Sequence, residues 1–197
     1  MFHNLKFLSN IVGIHNLLIT LITEIVFKNC IMYTKCQRKI ILKFINNNEG
    51  GLFIDEKVLN DPLDSQIQIE IDYAGINRAD ILQRKGHYPP PKGESEIIGL
   101  ECSGKVSKIG RLVKKFSLGD QVCAILAGGG YAEFVNVDEK QVMPLPSNLN
   151  SLEAGGLPET TLTVYENIFN VSNFQKDESI LIHGGSSGYR HYSYFYS

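Results

Sequence analysis

The clearest pattern in the chain is a strict alternation of apolar and polar residues over Gln66–Tyr73. An alternation with a period of two places one set of side chains on each face of an extended strand. We therefore predict a half-buried antiparallel strand, with one face toward a core and the other toward water. The apolar set is Ile67, Ile69, Ile71 and Tyr73, and the polar set is Gln68, Glu70 and Asp72.

Four more segments are apolar enough to be strands, and turn-forming residues bound them. Asn and Gly residues over Asn46–Gly51 separate the first two, and Gly128–Gly130 precedes the last. Strands joined by short turns, with few helices among them, are typical of a mostly β, barrel-like domain. The predicted strands are Lys39–Ile45, Leu52–Leu59, Val122–Leu126 and Tyr131–Val137.

One short helix is predicted to begin after Asn77. Asn is a favoured N-cap residue, and Asp80 stands three residues later, where a capping partner is expected. The helix must end near Gly86, because three prolines follow from Pro89. Asp80 and Arg84 are four residues apart, a spacing that predicts an ion pair on the helix surface.

The composition becomes helical in the last quarter of the chain. Ser151 is expected to cap a first helix, and Pro158 to begin a second, since proline fits the first turn of a helix. Ser179–His183 is predicted to be a short apolar strand, and the glycine-rich stretch Gly184–Gly188 follows it. A strand followed by a glycine-rich turn is how a dinucleotide-binding unit begins. The predicted apolar face of the second helix consists of Leu162, Tyr165, Ile168 and Phe169.

These patterns divide the chain into a leader (1–31), a mostly β domain (32–150), the start of a second domain (151–188) and a tail (189–197). The leader is rich in Leu, Ile and Asn, but His15, Asn16 and Glu24 interrupt its apolar run. A clean membrane-spanning helix avoids such residues. We therefore favour a poorly ordered or misassigned leader over a weak membrane anchor, and find no clear membrane span.

Composition and charge place the chain among ordinary globular proteins. Apolar residues make up 43% and charged residues 20% of the chain, and the formal net charge is −2. Such a charge gives no reason to expect nucleic acid as a partner. The four cysteines lie far apart with no C-x-x-C pair, which argues against a structural zinc site and a disulfide framework. This pattern fits a reducing, cytoplasmic location, with each cysteine a small buried apolar residue.

Two ordered motifs carry a family resemblance. From Asn77 the chain reads N-x-x-D-x-x-x-R-x-G-x-Y-P, and from Gly99 it reads G-x-E-x-x-G-x-V-x-x-x-G. This pattern resembles the GroES-like catalytic domain of the medium-chain dehydrogenase/reductases. The branch it looks most like is the zinc-free quinone oxidoreductases, the zeta-crystallin-like group. The likeness covers roughly Lys39 to Gly188 and includes a family helix motif, P-x-x-x-x-T, from Pro158 to Thr163.

The resemblance implies a fold and a cofactor. The fold would be a mostly β GroES-like catalytic domain followed by the start of an α/β Rossmann domain, and the cofactor would be NADPH. Relatives of this kind reduce a small quinone or enone, and the family suggests a homo-oligomer. Asn77 and Tyr88 would be the catalytic candidates and would line the nicotinamide end, with Thr163 approaching from the helix side. Gly185, Ser187 and Gly188 would lie beside the pyrophosphate.

The resemblance also bears on metal chemistry. A zinc-containing relative would carry Cys where this chain has Asn77, and His where it has Leu100. Neither Asn nor Leu is a useful zinc ligand at such a site, so no metal is expected. Without a Lewis acid, hydride transfer should favour substrates that are already electron-poor, such as quinones and activated enones. Glu101 resembles an acid catalyst, but we favour a structural role in which it pairs with an opposite charge inside the fold.

The chain departs from the family after Gly188, where only nine residues follow. A full dinucleotide-binding βαβ unit needs on the order of 30 residues. Two functions therefore stay open. One is an NADPH-dependent quinone or enone reductase of which this is an incomplete chain. The other is a catalytically inactive GroES-like fragment that serves only as a binding or dimerisation module.

Overall fold

The computed structural model describes residues 41–48 and 51–181. They form a curled five-stranded antiparallel sheet, a separate two-stranded hairpin and a few short helices. The hairpin consists of β1 (Ile41–Asn48) and β2 (Gly51–Val58). The sheet consists of β3 (Gln66–Tyr73), β4 (Glu101–Ile109), β5 (Gln121–Ile125), β6 (Phe134–Asp138) and β7 (Val142–Pro144). The helices are α1 (Arg78–Arg84), α2 (Ser151–Ala154) and α3 (Pro158–Tyr165), with a 3-10 turn at Glu139–Gln141 and a π-helical turn at Glu166–Val171.

The strand order in the sheet is β6–β3–β4–β5–β7, and every neighbouring pair is antiparallel. The predicted alternating strand β3 lies inside the sheet, because β4 and β6 flank it. Its Ile69 pairs with Val106 on one side and with Val135 on the other. This arrangement confirms the predicted mostly β domain and places β3 second in the strand order, next to the edge strand β6.

The core forms on one face of the sheet. Ile67 and Ile69 are fully buried, as the alternation predicted. The prediction for the opposite face was wrong at Gln68, which is also fully buried. Its side-chain amide donates to the Asn136 side chain at 3.1 Å, and the Ser107 hydroxyl donates to its backbone carbonyl at 3.1 Å. A strand with neighbours on both sides can cover its polar face as well, and buried polar groups then need such partners.

Two strand boundaries differ from the predictions by three residues. The first strand was expected to end at Ile45, but β1 continues to Asn48 because Asn46–Asn48 pair with the start of β2. The last long strand was expected to begin at Tyr131, but β6 begins at Phe134. Tyr131 instead accepts a backbone hydrogen bond from Ile45, at 2.9 Å, and so joins the hairpin to the sheet.

The cap of α2 also differs from the prediction. Asn150, not Ser151, is the N-cap residue: its side chain accepts from the Glu153 backbone at 2.9 Å, and its own N–H donates to the Glu153 side chain at 3.0 Å. Ser151 is the first residue of the helix and donates its hydroxyl to Asp72 at 2.9 Å. Asn is at least as good an N-cap as Ser, and a Glu three residues later completes a capping box.

α3 begins at Pro158, as predicted, but only Ile168 of the predicted apolar face is buried. Thr160, Val164 and Ile168 are buried, whereas Leu162 and Tyr165 are 37% and 48% exposed. The buried residues are spaced by four, which makes a single stripe along the helix. The expected apolar face assumed a regular helix beyond Tyr165, where the chain instead forms the π-helical turn.

The predicted strand Ser179–His183 is not found in its described part. Ser179–Leu181 has no strand structure, and Leu181 is 80% exposed. A parallel strand needs a neighbouring strand, and no partner for it lies within residues 41–48 or 51–178. His183 and Gly184–Gly188 lie outside the described residues, as do the leader and the tail. Across the described ranges, no helix is long and apolar enough to cross a membrane.

Candidate functional site

α1 begins where β3 leaves the sheet, and its first turn is built as predicted. Asn77 is the N-cap residue, and its backbone N–H donates to a side-chain oxygen of Asp80 at 2.6 Å. The helix ends at Arg84, two residues before Gly86, whose φ of +71° lies in the left-handed region that glycine adopts without strain. The prediction of a helix ending near Gly86 is therefore confirmed.

Gln83 ties α1 to two loops at the end of the sheet. Its amide donates to the Ala127 carbonyl at 2.9 Å, and its side-chain oxygen accepts from the Gly99 backbone at 3.1 Å. Ala127 lies in the loop that follows β5, and Gly99 lies in the loop that leads into β4. The Gln83 side chain thus holds α1 against both loops. Gln83 is not among the residues predicted for the site.

Glu101 is the junction of the site. It is the first residue of β4 and is 1% exposed. Its Oε1 accepts a hydrogen bond from the Asn77 side-chain amide at 2.7 Å, and its Oε2 accepts from the Glu159 backbone N–H at 2.9 Å. Glu159 lies in the first turn of α3, where backbone N–H groups have no partner within the helix. The prediction that Glu101 pairs with an opposite charge was wrong, because both of these donors are neutral.

A second buried carboxylate lies on the other side of Asn77. Asp80 is 4% exposed, and its Oδ2 accepts the Tyr131 hydroxyl at 2.9 Å. This contact replaces the helix-surface ion pair predicted for Asp80 and Arg84. The spacing of four was correct for such a pair, but the face of α1 that carries Asp80 turns toward the sheet and not toward water.

Burial controls the protonation of this cluster. It raises the pKa of Asp80 and of Glu101, because a carboxylate away from water loses its hydration. The hydrogen bonds from Asn77, Tyr131 and the Glu159 backbone oppose that shift without cancelling it. The pKa of Tyr131 is also raised, first by burial and then by the neighbouring Asp80 charge. Buried carboxyl groups with raised pKa values are candidates for functional sites.

The two described cysteines, Cys102 and Cys123, are buried apolar residues, as predicted. Burial raises the pKa of both thiols, that of Cys123 to about 11. A thiol with such a pKa is almost entirely protonated at neutral pH, and the thiolate is the nucleophile and metal ligand. Neither cysteine therefore has the character of a reactive group.

The structure links one predicted site residue, Asn77, to the helix that carries another, Thr163. Asn77 meets the start of α3 through Glu101, and Thr163 lies partly buried further along that helix. Tyr88 follows α1 and is 50% exposed, and its hydroxyl makes no hydrogen bond to any described residue. Gly185, Ser187 and Gly188 lie outside the described residues, so their predicted role beside a pyrophosphate stays a prediction.

The positions that matter for zinc do not hold zinc ligands. The Asn77 amide donates to Glu101, and Leu100 is an apolar side chain with 5% exposure. Within the described parts of the chain, no three His, Cys, Asp or Glu side chains lie close enough to hold a metal ion.

Tyr131 is a site residue that the sequence analysis missed. The sequence predicts Tyr131 only as the first residue of a strand. In the structure its ring is buried and its hydroxyl donates to Asp80. A tyrosine directly after three glycines is a usable indication, because a chain that bends there can turn the next side chain inward. Its partner Asp80 is far away in the sequence, so the pairing itself could not be found.

Residues 63–147 match the family model of the alcohol dehydrogenase GroES-like domain. They include β3, α1, β4 and all the carboxylates of the site. The chain belongs to the medium-chain dehydrogenase/reductase superfamily. This superfamily of oxidoreductases is the one that the two motifs predicted, and the relatives confirm its zinc-free branch.

The relatives are longer proteins. The chain is 30% identical over 142 residues to a mouse (Mus musculus) synaptic vesicle membrane protein VAT-1 homolog-like, covering 71% of this chain and 34% of that protein. It is 37% identical over 131 residues to a reducing polyketide synthase of Gibberella fujikuroi, covering 66% of this chain and 5% of the synthase. The crystal structure of the human VAT-1 homolog-like protein superposes with a TM-score of 0.69 at 28% identity, covering 78% of this chain and 50% of that one. The chain thus spans about half of that crystal structure and smaller shares of the mouse protein and of the polyketide synthase.

Proposed function

We propose that the protein is a zinc-independent, NADPH-dependent reductase of quinones or activated enones, and that this chain forms the wall facing the nicotinamide. The observation that carries the proposal is the junction at Glu101, which holds Asn77 beside the first turn of α3. α3 also bears Thr163, so an amide and a hydroxyl stand on two elements that meet at one buried carboxylate. A relative named as a reducing polyketide synthase supports a reductive role.

The described residues suit the nicotinamide end of the cofactor. Asn77 and Thr163 are partly buried polar groups, and Tyr88 is a half-exposed phenol. These groups can hydrogen-bond a carboxamide and position a ring, which is the contribution a protein makes in cofactor chemistry. When bound, the reduced nicotinamide supplies the hydride. Gly185, Ser187 and Gly188 would hold the pyrophosphate.

The choice of substrate follows from the side chains at the zinc positions. Asn77 and Leu100 offer no ligand for a metal that could polarise a carbonyl oxygen. A substrate must then accept a hydride without metal assistance, and this favours the electron-poor carbon of a quinone or an activated enone. Residues other than those facing the nicotinamide would select one such compound over another.

The test is a titration of the full chain with NADPH, followed by the fluorescence of the reduced nicotinamide, and then the oxidation of NADPH by menadione. The proposal predicts a saturable fluorescence change and NADPH oxidation that depends on the protein. Asn77→Ala should lower the rate about tenfold, which corresponds to about 1.4 kcal/mol of lost transition-state stabilisation. A parallel titration with NADH measures the cofactor preference.

Tyr88→Phe and Tyr165→Phe are a matched pair for this experiment. The two tyrosines are 50% and 48% exposed, but only Tyr88 is assigned to the site. Tyr88→Phe should weaken the response, whereas Tyr165→Phe should leave it unchanged. A folded chain that shows no saturable response to NADPH would contradict the proposed function.

That outcome would favour the second candidate, a GroES-like module that binds a partner or dimerises without turnover. The observation in its favour is the exposure of large apolar residues on and after α3: Leu162, Tyr165 and Val171 are 37%, 48% and 71% exposed. Sedimentation of the chain over a range of concentrations would distinguish a monomer from a dimer.

A further inference from the structure

We propose that Glu101 is the positioning residue of this site, and that its two carboxylate oxygens set the placement of Asn77 relative to α3. The inference deepens the proposed function, because the roles of Asn77 and Thr163 toward a cofactor rest on it. The contacts from which the inference is argued do not depend on the proposed function, because they are all made within this chain.

The first argument is the match between donors and acceptors. An ionised carboxylate has two oxygens that only accept hydrogen bonds. In this site one oxygen faces the Asn77 amide at 2.7 Å and the other faces the Glu159 backbone N–H at 2.9 Å. At 1% exposure of Glu101, bulk water does not compete for these bonds. A glutamine would offer one acceptor oxygen to the same two donors, so it would lose one of the bonds.

The second argument is the space that Gly75 provides. A Cβ atom on residue 75 would overlap Oε1 of Glu101 and would lie 2.6 Å from its Cδ. The carboxylate can reach Asn77 along this path only because residue 75 has no side chain. Gly156 is the contrasting case, because a Cβ there would meet nothing within 4 Å.

The third argument is the rigidity of the strand that carries Glu101. β4 lies between β3 and β5, and Glu101 itself pairs with Ile125 of β5. A side chain held by a paired strand is more precisely placed than one on a loop. The charges of Asp80 on α1 and Glu159 on α3 act on the Glu101 carboxyl, and both groups are acidic, so neither can replace Asn77 as a donor.

The test compares Glu101→Gln and Gly75→Ala with the control Gly156→Ala by nuclear magnetic resonance. The readouts are the side-chain amide of Asn77, assigned by its loss in Asn77→Asp, and the exchange of the Glu159 backbone N–H with solvent. Both test variants should shift the Asn77 amide and speed up the Glu159 exchange at least tenfold. Gly156→Ala should match the wild type. Unchanged signals in folded test variants would overturn the inference.

A wild-type pH titration keeps the inference testable if those variants do not fold. The resonances of the Asn77 amide and the Glu159 N–H should change together with one apparent pKa, because one carboxyl group contacts both. Asp80 titrates nearby, so Asp80→Asn serves as the background in which to repeat the titration. Two signals that titrate separately in that background would contradict a shared partner.

The NADPH titration separates this inference from the proposed function. If Glu101→Gln changes both resonances and weakens NADPH binding about tenfold, Glu101 positions a cofactor-facing residue. If the resonances change while NADPH binds neither protein, Glu101 positions Asn77 as inferred and the proposed function is wrong.

Discussion

Two groups of carboxylates near the sheet have partners of different kinds. Near the start of β4, Asp80 and Glu101 are buried and accept hydrogen bonds from a side-chain amide, a hydroxyl and two backbone N–H groups. At the other end of the same strand, Asp61 and Asp64 are exposed and pair with cations. Lys108 lies 2.6 Å from Asp61, and Arg111 contacts both oxygens of Asp64 at 2.8 and 2.6 Å.

The two ends differ in what sets the charge state of their carboxyl groups. At the exposed end, the hydrogen bond from Arg111 lowers the pKa of Asp64, so that carboxylate is simply ionised. At the buried end, neutral donors only partly offset the loss of hydration, and the pKa values of Asp80 and Glu101 remain raised. Neutral donors fix a carboxylate in place without forcing its charge state, as a binding site requires, whereas a surface ion pair adds little beyond solubility.

Removing one hydroxyl from the buried end should have the largest effect. Tyr131→Phe deletes the donor to Asp80 and leaves the ring in place, so it should lower the free energy of unfolding by about 1 to 3 kcal/mol. Urea denaturation measures the change. Tyr165→Phe is the control, because Tyr165 is 48% exposed and its ring contact with Phe169 survives the substitution. Equal free energies of unfolding for the two variants would show that the buried Tyr131 hydroxyl does not stabilise the fold.

The pH dependence of stability should distinguish the two ends by sign. The folded-state pKa values of Asp80 and Glu101 lie above their ordinary values, which are about 4. In the window between those values the folded protein binds more protons than the unfolded chain, so the buried end loses stability as the pH rises. The folded-state pKa of Asp64 is lowered. Its contribution to stability is therefore fully present above the ordinary pKa of an aspartate and is lost as the pH falls through the lowered pKa.

Denaturation curves across the acidic range would measure both contributions. Asp80→Asn should flatten the loss of stability with rising pH above about 4. Asp64→Asn should change the slope of stability against pH only in the more acidic part of the range. A wild-type protein that gains stability as the pH rises through the upper window would show that the buried carboxyls are not shifted as described.

The smallest effect is expected at the exposed end. Arg111→Ala removes the ion pair with Asp64, but the Arg111 side chain is 84% exposed and water solvates both charges. Stability at physiological salt should therefore be indistinguishable from wild type, and any difference seen at low salt should disappear as salt is added. A loss that persists at high salt would show that this end contributes more to the fold than its exposure indicates.

Local patterns predicted the parts of the molecule whose causes are local. The alternation of β3, the start of α1 at Asn77 and its end near Gly86 depend on residues within one turn or one strand. The family and its zinc-free branch were also accessible, because the motif residues are contiguous. The position of Asn77 as the N-cap of α1 was likewise accessible, whereas its role toward a cofactor stays a prediction.

The parts that failed depend on what the chain brings from a distance. Gln68 is buried because strands pair on both sides of it, which no alternation can reveal. Glu101 was expected to meet a cation, but its partners come from α1 and from the first turn of α3. The exposed Leu162 was placed on the wrong face because the periodicity assumed a regular helix up to Phe169.

The interior place of β3 in the sheet has a consequence for how the chain acquires its structure. Ile67 pairs with Ile109 on one side and with Val137 on the other, so both partners of the earliest sheet strand are made much later during synthesis. Closing such large loops before any pairing is gained slows folding. Until β6 has left the ribosome, one edge of β3 lacks its partner strand, and an unpaired edge can associate with other chains.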